Sequence, residues 1–298
     1  MSKKLHEIDT LIADLNGAVE AHYQWLVEVF RYISVRESEQ PDITRRSAHN
    51  FCRFGRWING YLSENSEDRG FSLAISLRHE EMHDICRELV TSIIDGDVKL
   101  PLFDAFSQAL QGLSEAITAW QRHLLQLRSG YDALTGLPLR RILDESFGRH
   151  IPEEDGDHIY VLIMDVDHFK RVNDTWGHLA GDSVLRALAL KLRESTRSYE
   201  PSYRFGGEEF ITVLKARNDR DACRAGLRIN EAIASHRIRL GNEHLSITVT
   251  SGLTRAHQGE TLHRVLERAD SAMYRGKQSG RNRCMFVDQS LNVSQVRC

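Results

Sequence analysis

The chain has 298 residues and a formal net charge of −3, with 41% hydrophobic and 27% charged residues. This balance is ordinary for a globular protein of about two domains, and it offers no basic field for nucleic acid or a membrane surface. No apolar run approaches the roughly 18 residues of a spanning helix, and Glu7, Asp9 and Asp14 interrupt any leader-like core, so a cytoplasmic location is expected. Five scattered cysteines (Cys52, Cys86, Cys223, Cys284, Cys298) argue against a disulfide framework and for reduced thiols, one of them a candidate metal ligand.

From Leu5 the positions Leu5, Ile8, Ile12, Leu15, Val19, His22, Leu26, Val29 and Ile33 step by three and four, the heptad seam of one long helix. His22 lies on that seam and should point inward. Pro41-Asp42 ends the pattern. A short second helix is expected over Phe51-Cys52-Arg53-Phe54-Gly55-Arg56-Trp57-Ile58. A third, from about Glu67 to Ile94, carries Ile75, His79, Met82, Cys86, Leu89 and Ile93 on one face, with His83 one turn beyond His79. Pro101 suits the start of a fourth. Its seam, Phe103, Phe106, Leu110, Leu113, Ile117, Trp120, Leu124, Leu127 and Tyr131, runs without a flexible linker into Asp132. The expectation is an all-α four-helix bundle over residues 1–130.

Buried imidazoles need partners, because an unpaired polar group costs a few kcal/mol. His79 and His83, four residues apart, form a common zinc pair, and His22 and Cys52 complete a four-ligand set drawn from three helices. Nitrogen and sulfur ligands favour zinc over magnesium. Cys86 and His49 are rival ligands, and ordinary hydrogen-bonded core histidines are the alternative. His22, the Cys52-Arg53-Phe54-Gly55-Arg56-Trp57 segment and His79-Glu80-Glu81-Met82-His83 resemble the chemoreceptor zinc-binding domain over roughly residues 10 to 128. The resemblance implies a usually dimeric four-helix bundle, a three-His, one-Cys zinc site at His22, Cys52, His79 and His83, and a regulatory role.

Residues 131–298 alternate strands with helices. After Asp132-Ala133-Leu134-Thr135-Gly136-Leu137-Pro138 comes a helix to about Phe147, then a polar loop from Pro152 to Asp157. Ile159 to Met164 is a near-continuous apolar run ending in Asp165-Val166-Asp167, which reads as a buried central strand with acids at its end. A helix with Val184, Leu185, Leu188 and Leu192 follows. Tyr203 to Phe205 and Phe210 to Leu214 flank Gly206-Gly207-Glu208-Glu209, a hairpin whose glycines are expected to take positive φ and admit another molecule to the backbone. A helix over about Asp219 to Ser235, a strand through Ile247, Val249 and Ser251, a helix over about Thr261 to Lys277 and a last strand Cys284–Val287 complete an α/β sandwich.

If the two acid-bearing strands are neighbours, Asp165, Glu208 and Glu209 converge, and oxygen ligands of this kind suit Mg²⁺ with nucleotide phosphates. Lys170, Lys277 and Arg281 are cations for those phosphates. Asn173 and Asp182 offer what a guanine edge requires; a plain surface charge is the alternative for each of these residues, and for Asp167 or Asp174 it is a sufficient one.

Gly206-Gly207-Glu208-Glu209-Phe210, Asp165-Val166-Asp167-His168-Phe169-Lys170, Asn173-Asp174-Thr175-Trp176-Gly177-His178, Gly181-Asp182 and Ser279-Gly280-Arg281-Asn282 together resemble the GGDEF family of diguanylate cyclases, over about residues 132 to 288. The resemblance implies a fold like nucleotide cyclases and polymerase palms. It also implies condensation of two GTP into cyclic di-GMP, one GTP per subunit of a homodimer. By the same resemblance Asp165, Glu208 and the carbonyl of Val166 hold metal, and Glu209 assists with a second metal or with activating the 3′-hydroxyl. Lys170, Lys277 and Arg281 hold phosphates, Asn173 and Asp182 read guanine, and His178 lies by the ribose and base. Two departures stand out: Leu139 where the family usually has Asn, and Arg197-Ser198-Tyr199-Glu200 where its product-inhibition motif ends in Asp. Zinc on the bundle, by bracing helices, is expected to inhibit.

Overall fold

The structure, a computed structural model, describes residues 5–35, 43–64, 68–150, 156–241 and 243–297. The helix break expected at Pro41-Asp42, the loop from Pro152 and Cys298 lie wholly or partly outside them. The chain forms two compact units, Met1–Ser129 and Gly130–Cys298.

The first unit comprises α1 (Leu5–Val35), the single turn α2 (Ala48–Phe51), α3 (Arg53–Glu64), α4 (Arg69–Ile94) and α5 (Leu100–Arg128). α1 buries Ile8, Leu11, Leu15, Ala18, His22 and Val29. Leu11 and Ala18 thus replace the expected Ile12 and Val19, because α1 packs against α3, α4 and α5 rather than along one two-helix seam. Phe103, expected on the α5 seam, is exposed, while Leu113, Ile117, Trp120 and Leu124 are buried. Trp120 is fully enclosed beside Trp57 and Tyr61, with ring centroids 6.0 and 5.1 Å away. Truncating such a residue to Ala costs about 3–5 kcal/mol.

The helix expected across Cys52 is broken there. Cys52 takes φ −68° and ψ 151°, which ends α2 and starts α3. Its Sγ accepts the Gly55 N–H at 3.1 Å, so the sulfur caps α3 in the way a serine oxygen would. Gly55 is required here because a Cβ would stand 1.7 Å from the His49 carbonyl oxygen. No described helix is long and apolar enough to cross a membrane.

The second unit begins with α6 (Arg140–His150), β1 (His158–Val166), α7 (Phe169–Trp176), α8 (His178–Ser195), β2 (Ser202–Arg204) and β3 (Glu209–Ala216). It continues through α9 (Asp219–Ala234), β4 (Ile238–Leu240), β5 (Glu243–Leu245), β6 (Val249–Ala256), α10 (Leu262–Gln278), β7 (Cys284–Val287) and β8 (Val293–Gln295). The main sheet has the order β2-β3-β1-β6-β7-β8, and β4-β5 form a separate ribbon. β1 is central, as expected, but antiparallel to both neighbours. Its continuous apolar run therefore reflects burial on both faces rather than parallel pairing. Alternation does the sorting. Tyr160, Leu162 and Met164 pack with Val184, Leu188, Ile229 and Ile233 of α8 and α9. Ile159, Val161 and Ile163 pack with Leu143, Phe147, Val265 and Ala269 of α6 and α10. At Gly252, where a Cβ would come 2.0 Å from the Ala269 carbonyl oxygen, α10 lies directly on the backbone of β6.

Candidate active site and metal centre

The antiparallel register of β1 and β3 pairs Asp165 with Glu209, and Val166 N–H donates to the Glu208 carbonyl at 3.2 Å. The acids at the end of β1 and at the hairpin thus meet at one sheet edge. Lys277, from the last turn of α10, reaches in to place Nζ 2.9 Å from Asp165 Oδ2. Burial raises the Asp165 carboxyl above the usual range; Lys277 opposes the rise and neighbouring Asp167 adds to it. Burial and then the charge of Asp165 raise both Glu208 and Glu209. The cluster holds more negative charge than one lysine settles, which is the electrostatic condition for a divalent cation bound by oxygen.

The hairpin glycines do not take positive φ, contrary to expectation. Gly206 is glycine for a different reason: a Cβ there would stand 2.5 Å from Glu209 Oε2, so the carboxylate folds back over the turn. Among the described residues the positive-φ glycines lie elsewhere, at Gly96, Gly136, Gly177, Gly241, Gly259 and Gly280. Asn173, near the end of α7, lies against Gly181 of α8, where a Cβ would meet Asn173 Oδ1 at 2.0 Å, and Asp182 is the next residue of that helix. Lys170 and His178 are exposed, and neither pairs with the carboxylates among the described residues. Arg281 follows α10 at φ 63°.

Asp167, for which a surface charge is the alternative reading, is buried. It accepts hydrogen bonds from Thr248 Oγ1 (2.7 Å), Thr250 Oγ1 (2.6 Å) and the Asn282 N–H (2.9 Å). A second contact missing from the sequence reading ties the junction segment to the hairpin. Arg204 donates to Asp132 Oδ2 (2.7 Å) and to the Gly207 carbonyl (2.8 Å), while Thr135 donates to the same Asp132 oxygen from N–H (2.8 Å) and Oγ1 (2.6 Å). Burial would raise Asp132, but the hydrogen bonds from Thr135 and Arg204 hold it below its ordinary value. Leu139 pairs through its backbone with Arg204.

Glu200 is buried, with one oxygen accepting the Arg197 N–H (2.9 Å) and the other the Lys215 N–H (3.1 Å). The Arg197 side chain is 60% exposed.

In the helical unit, one ligand atom from each of His22, Cys52, His79 and His83 lies within 4.8 Å of the others, and all four residues are buried. Cys52 Sγ is 3.1 Å from His79 Nε2. Both ring nitrogens of His22 and of His83 are buried without a hydrogen-bond partner. Orphaned imidazoles beside a thiol are poor core and a good zinc site, so this set fits zinc. Burial lowers His22 to about 4; burial with the neighbouring imidazoles lowers His79 to about 3 and His83 to about 2. All three are therefore neutral and ready to ligate at pH 7. Burial raises the Cys52 thiol, opposed by the N–H groups of Gly55 and Phe54. His49 stays at the edge, with Nε2 3.7 Å from Glu80 Oε1. Cys86 is buried as a thiol at about 12. Neither belongs to the four-residue cluster.

The profile described as "Diguanylate cyclase, GGDEF domain" matches residues 129–283, and that of the "Chemoreceptor zinc-binding domain" matches residues 22–90. Diguanylate cyclase DgcZ of Escherichia coli is 45% identical over 99% of this chain and 100% of its own length. The coiled coil and GGDEF domain of DgcB from Caulobacter crescentus, solved with c-di-GMP, has a TM-score of 0.54 at 30% identity, covering 61% of this chain and all of that one. Diguanylate cyclase SiaD from Pseudomonas aeruginosa, solved with its activator SiaC, has a TM-score of 0.50 at 31% identity over 78% of this chain and 97% of that one.

Proposed function

The chain belongs to the GGDEF family of diguanylate cyclases and carries a chemoreceptor zinc-binding domain, and we propose on that footing that it condenses two GTP into cyclic di-GMP, releasing two pyrophosphates, with one GTP held by each subunit of a homodimer and with zinc as inhibitor. The observation that carries the catalytic reading is the meeting of Asp165 with the Glu208-Glu209 hairpin across adjacent strands, with Lys277 at 2.9 Å.

Asp165, Glu208 and the Val166 carbonyl are the magnesium ligands in this reading. An ion held there supplies Lewis-acid stabilisation of charge on the α-phosphate. Lys170, Lys277 and Arg281 hold the phosphates, Asn173 and Asp182 take the guanine edge, and His178 stands by the ribose. The 3′-hydroxyl of one GTP attacks the α-phosphorus of the other; its proton passes to a hairpin carboxylate, and pyrophosphate leaves. Burial and the charge of Asp165 raise the proton affinities of Glu208 and Glu209, the direction that favours accepting a proton. One subunit holds half of the reactants, so apposition of two is part of the chemistry.

Support for the homodimer is an apolar face distinct from the seams of α1 and α5, which are used inside the bundle. Tyr23, Val27 and Phe30 of α1 are 58%, 56% and 67% exposed at helical spacing, and Leu73 and Leu77 repeat the pattern on α4. A second copy is the proposed cover. His22 on α1, Cys52 at the start of α3 and the α4 pair His79 and His83 would hold zinc, joining three helices at one point. Such bracing restricts the relative movement of helices and with it the meeting of two GTP half-sites. Product inhibition at Arg197 rests on the exposed guanidinium, since Glu200 is committed to the backbone.

Purified protein with GTP and Mg²⁺ tests the reading: cyclic di-GMP and pyrophosphate should form in a ratio of one to two. A nucleotide receptor without turnover would bind GTP and release neither. Adding a zinc chelator should raise the rate; unchanged activity and dimer geometry would overturn zinc control.

A further inference from the structure

Gly280, Arg281 and Asn282 are consecutive residues at positive φ (110°, 63° and 47°), in the turn between α10 and β7. Residues with a Cβ disfavour that region, and two in succession need an external constraint. Part of it is local: Arg281 N–H donates to the Gly276 carbonyl at 3.1 Å. The rest comes from Asp167, 115 residues earlier in the chain, whose Oδ2 accepts the Asn282 N–H at 2.9 Å. The carboxylate is itself fixed. Thr248 donates to Oδ2 and Thr250 to Oδ1, and Asp167 N–H donates to the Thr248 carbonyl at 2.9 Å. Both oxygens are engaged inside the protein, so Asp167 acts as an anchor rather than as a further open metal ligand.

We propose that Asp167 is a positioning residue whose buried carboxylate locks the 280–282 turn, so that Arg281 presents its guanidinium to the phosphates of bound GTP. The inference rests on the reading of Arg281 as a phosphate ligand. The β1 end thus has two roles two residues apart: Asp165 faces the cation, and Asp167 holds the cationic arm that meets the same phosphates.

The test is the affinity of the full-length protein for a ribose-labelled fluorescent GTP with Mg²⁺. D167A leaves three donors without an acceptor and should weaken binding about ten-fold. D167N should retain near-native affinity, because its amide oxygen accepts from Asn282 and Thr248 while its NH₂ donates to the reoriented Thr250 hydroxyl. The decisive comparison is with R281A: if Asp167 acts through Arg281, D167A adds no further loss in that background. T248A, which removes one donor and keeps the carboxylate, should give about a two-fold loss, again absent beside R281A, and decides the matter if D167A fails to fold. Unchanged affinity in D167A, or in T248A where D167A does not fold, overturns the inference. So does a full additive loss on top of R281A. R281A binding like the native protein would remove the phosphate reading itself, and the inference with it.

Discussion

Lys277 Nζ lies 2.9 Å from Asp165 Oδ2, so a residue assigned to phosphate holds a residue assigned to metal. The pair is partly open to solvent and contributes little to stability. Its significance is charge balance: the ammonium offsets part of the repulsion among Asp165, Glu208 and Glu209, a task that on the proposed reading passes to a divalent cation. K277A should therefore weaken GTP binding by about ten-fold while tightening binding of Mg²⁺ alone. Calorimetric titration of each ligand separately checks both signs.

Glu208→Gln should abolish product and leave GTP binding largely intact. It should also stabilise the ligand-free protein. A carboxyl with a raised folded-state pKa is destabilising when ionised, so its cost is absent at low pH and grows as pH rises through its titration. The melting temperature at pH 7 should rise by about 1–3 °C, with the gain vanishing below pH 4.5, the ordinary glutamate value. Thermal melts across that range measure it.

The chelated helical unit should be acid-labile. His22, His79 and His83 titrate near 6.5 when unfolded and at about 4, 3 and 2 when folded. Their folded-state values are depressed, so the neutral forms are stable above 6.5 and stability falls as the unfolded chain takes up protons below it. Each histidine contributes up to roughly 1.4 kcal/mol per pH unit. Urea unfolding of the chelated protein between pH 7 and 4.5 reads the slope, and H83L should reduce it by about one proton.

Arg204→Ala should release the Gly207 carbonyl and Asp132 at once. Because both contacts orient the hairpin from outside the reacting groups, turnover should fall by about ten-fold with zinc affinity unchanged. Steady-state rates paired with zinc titration test this separation. On the reading of Arg197 as a product contact, added cyclic di-GMP should slow the native protein, and Arg197→Ala should relieve that slowing while leaving the initial rate unchanged.

The chain's local grammar was legible in residue order alone. The period of three and four placed α1, α4 and α5, and the apolar run with its terminal acids placed β1. Gly206 to Phe210 and the four zinc-type residues were likewise visible as motifs. Local pattern misjudged features set by neighbours distant in sequence. Cys52 breaks a helix because its sulfur caps the next one, and Gly206 is required by the folded-back Glu209 side chain rather than by positive φ. The short strands β4, β5 and β8 are three residues each, too brief to show a period.

The sequence by itself therefore determined which chemistries are available: a nitrogen and sulfur set for zinc, and carboxylates with lysine and arginine for a metal-bound nucleotide. Only the tertiary structure decided which groups act and which brace. Asp165 and Asp167 look alike in the chain, yet one opens toward Lys277 and the other closes on Thr248, Thr250 and Asn282. The physical reason is sequence distance. Those partners lie 81, 83 and 115 residues from Asp167, and no local periodicity carries information about a hydrogen bond that sheet formation alone brings within reach.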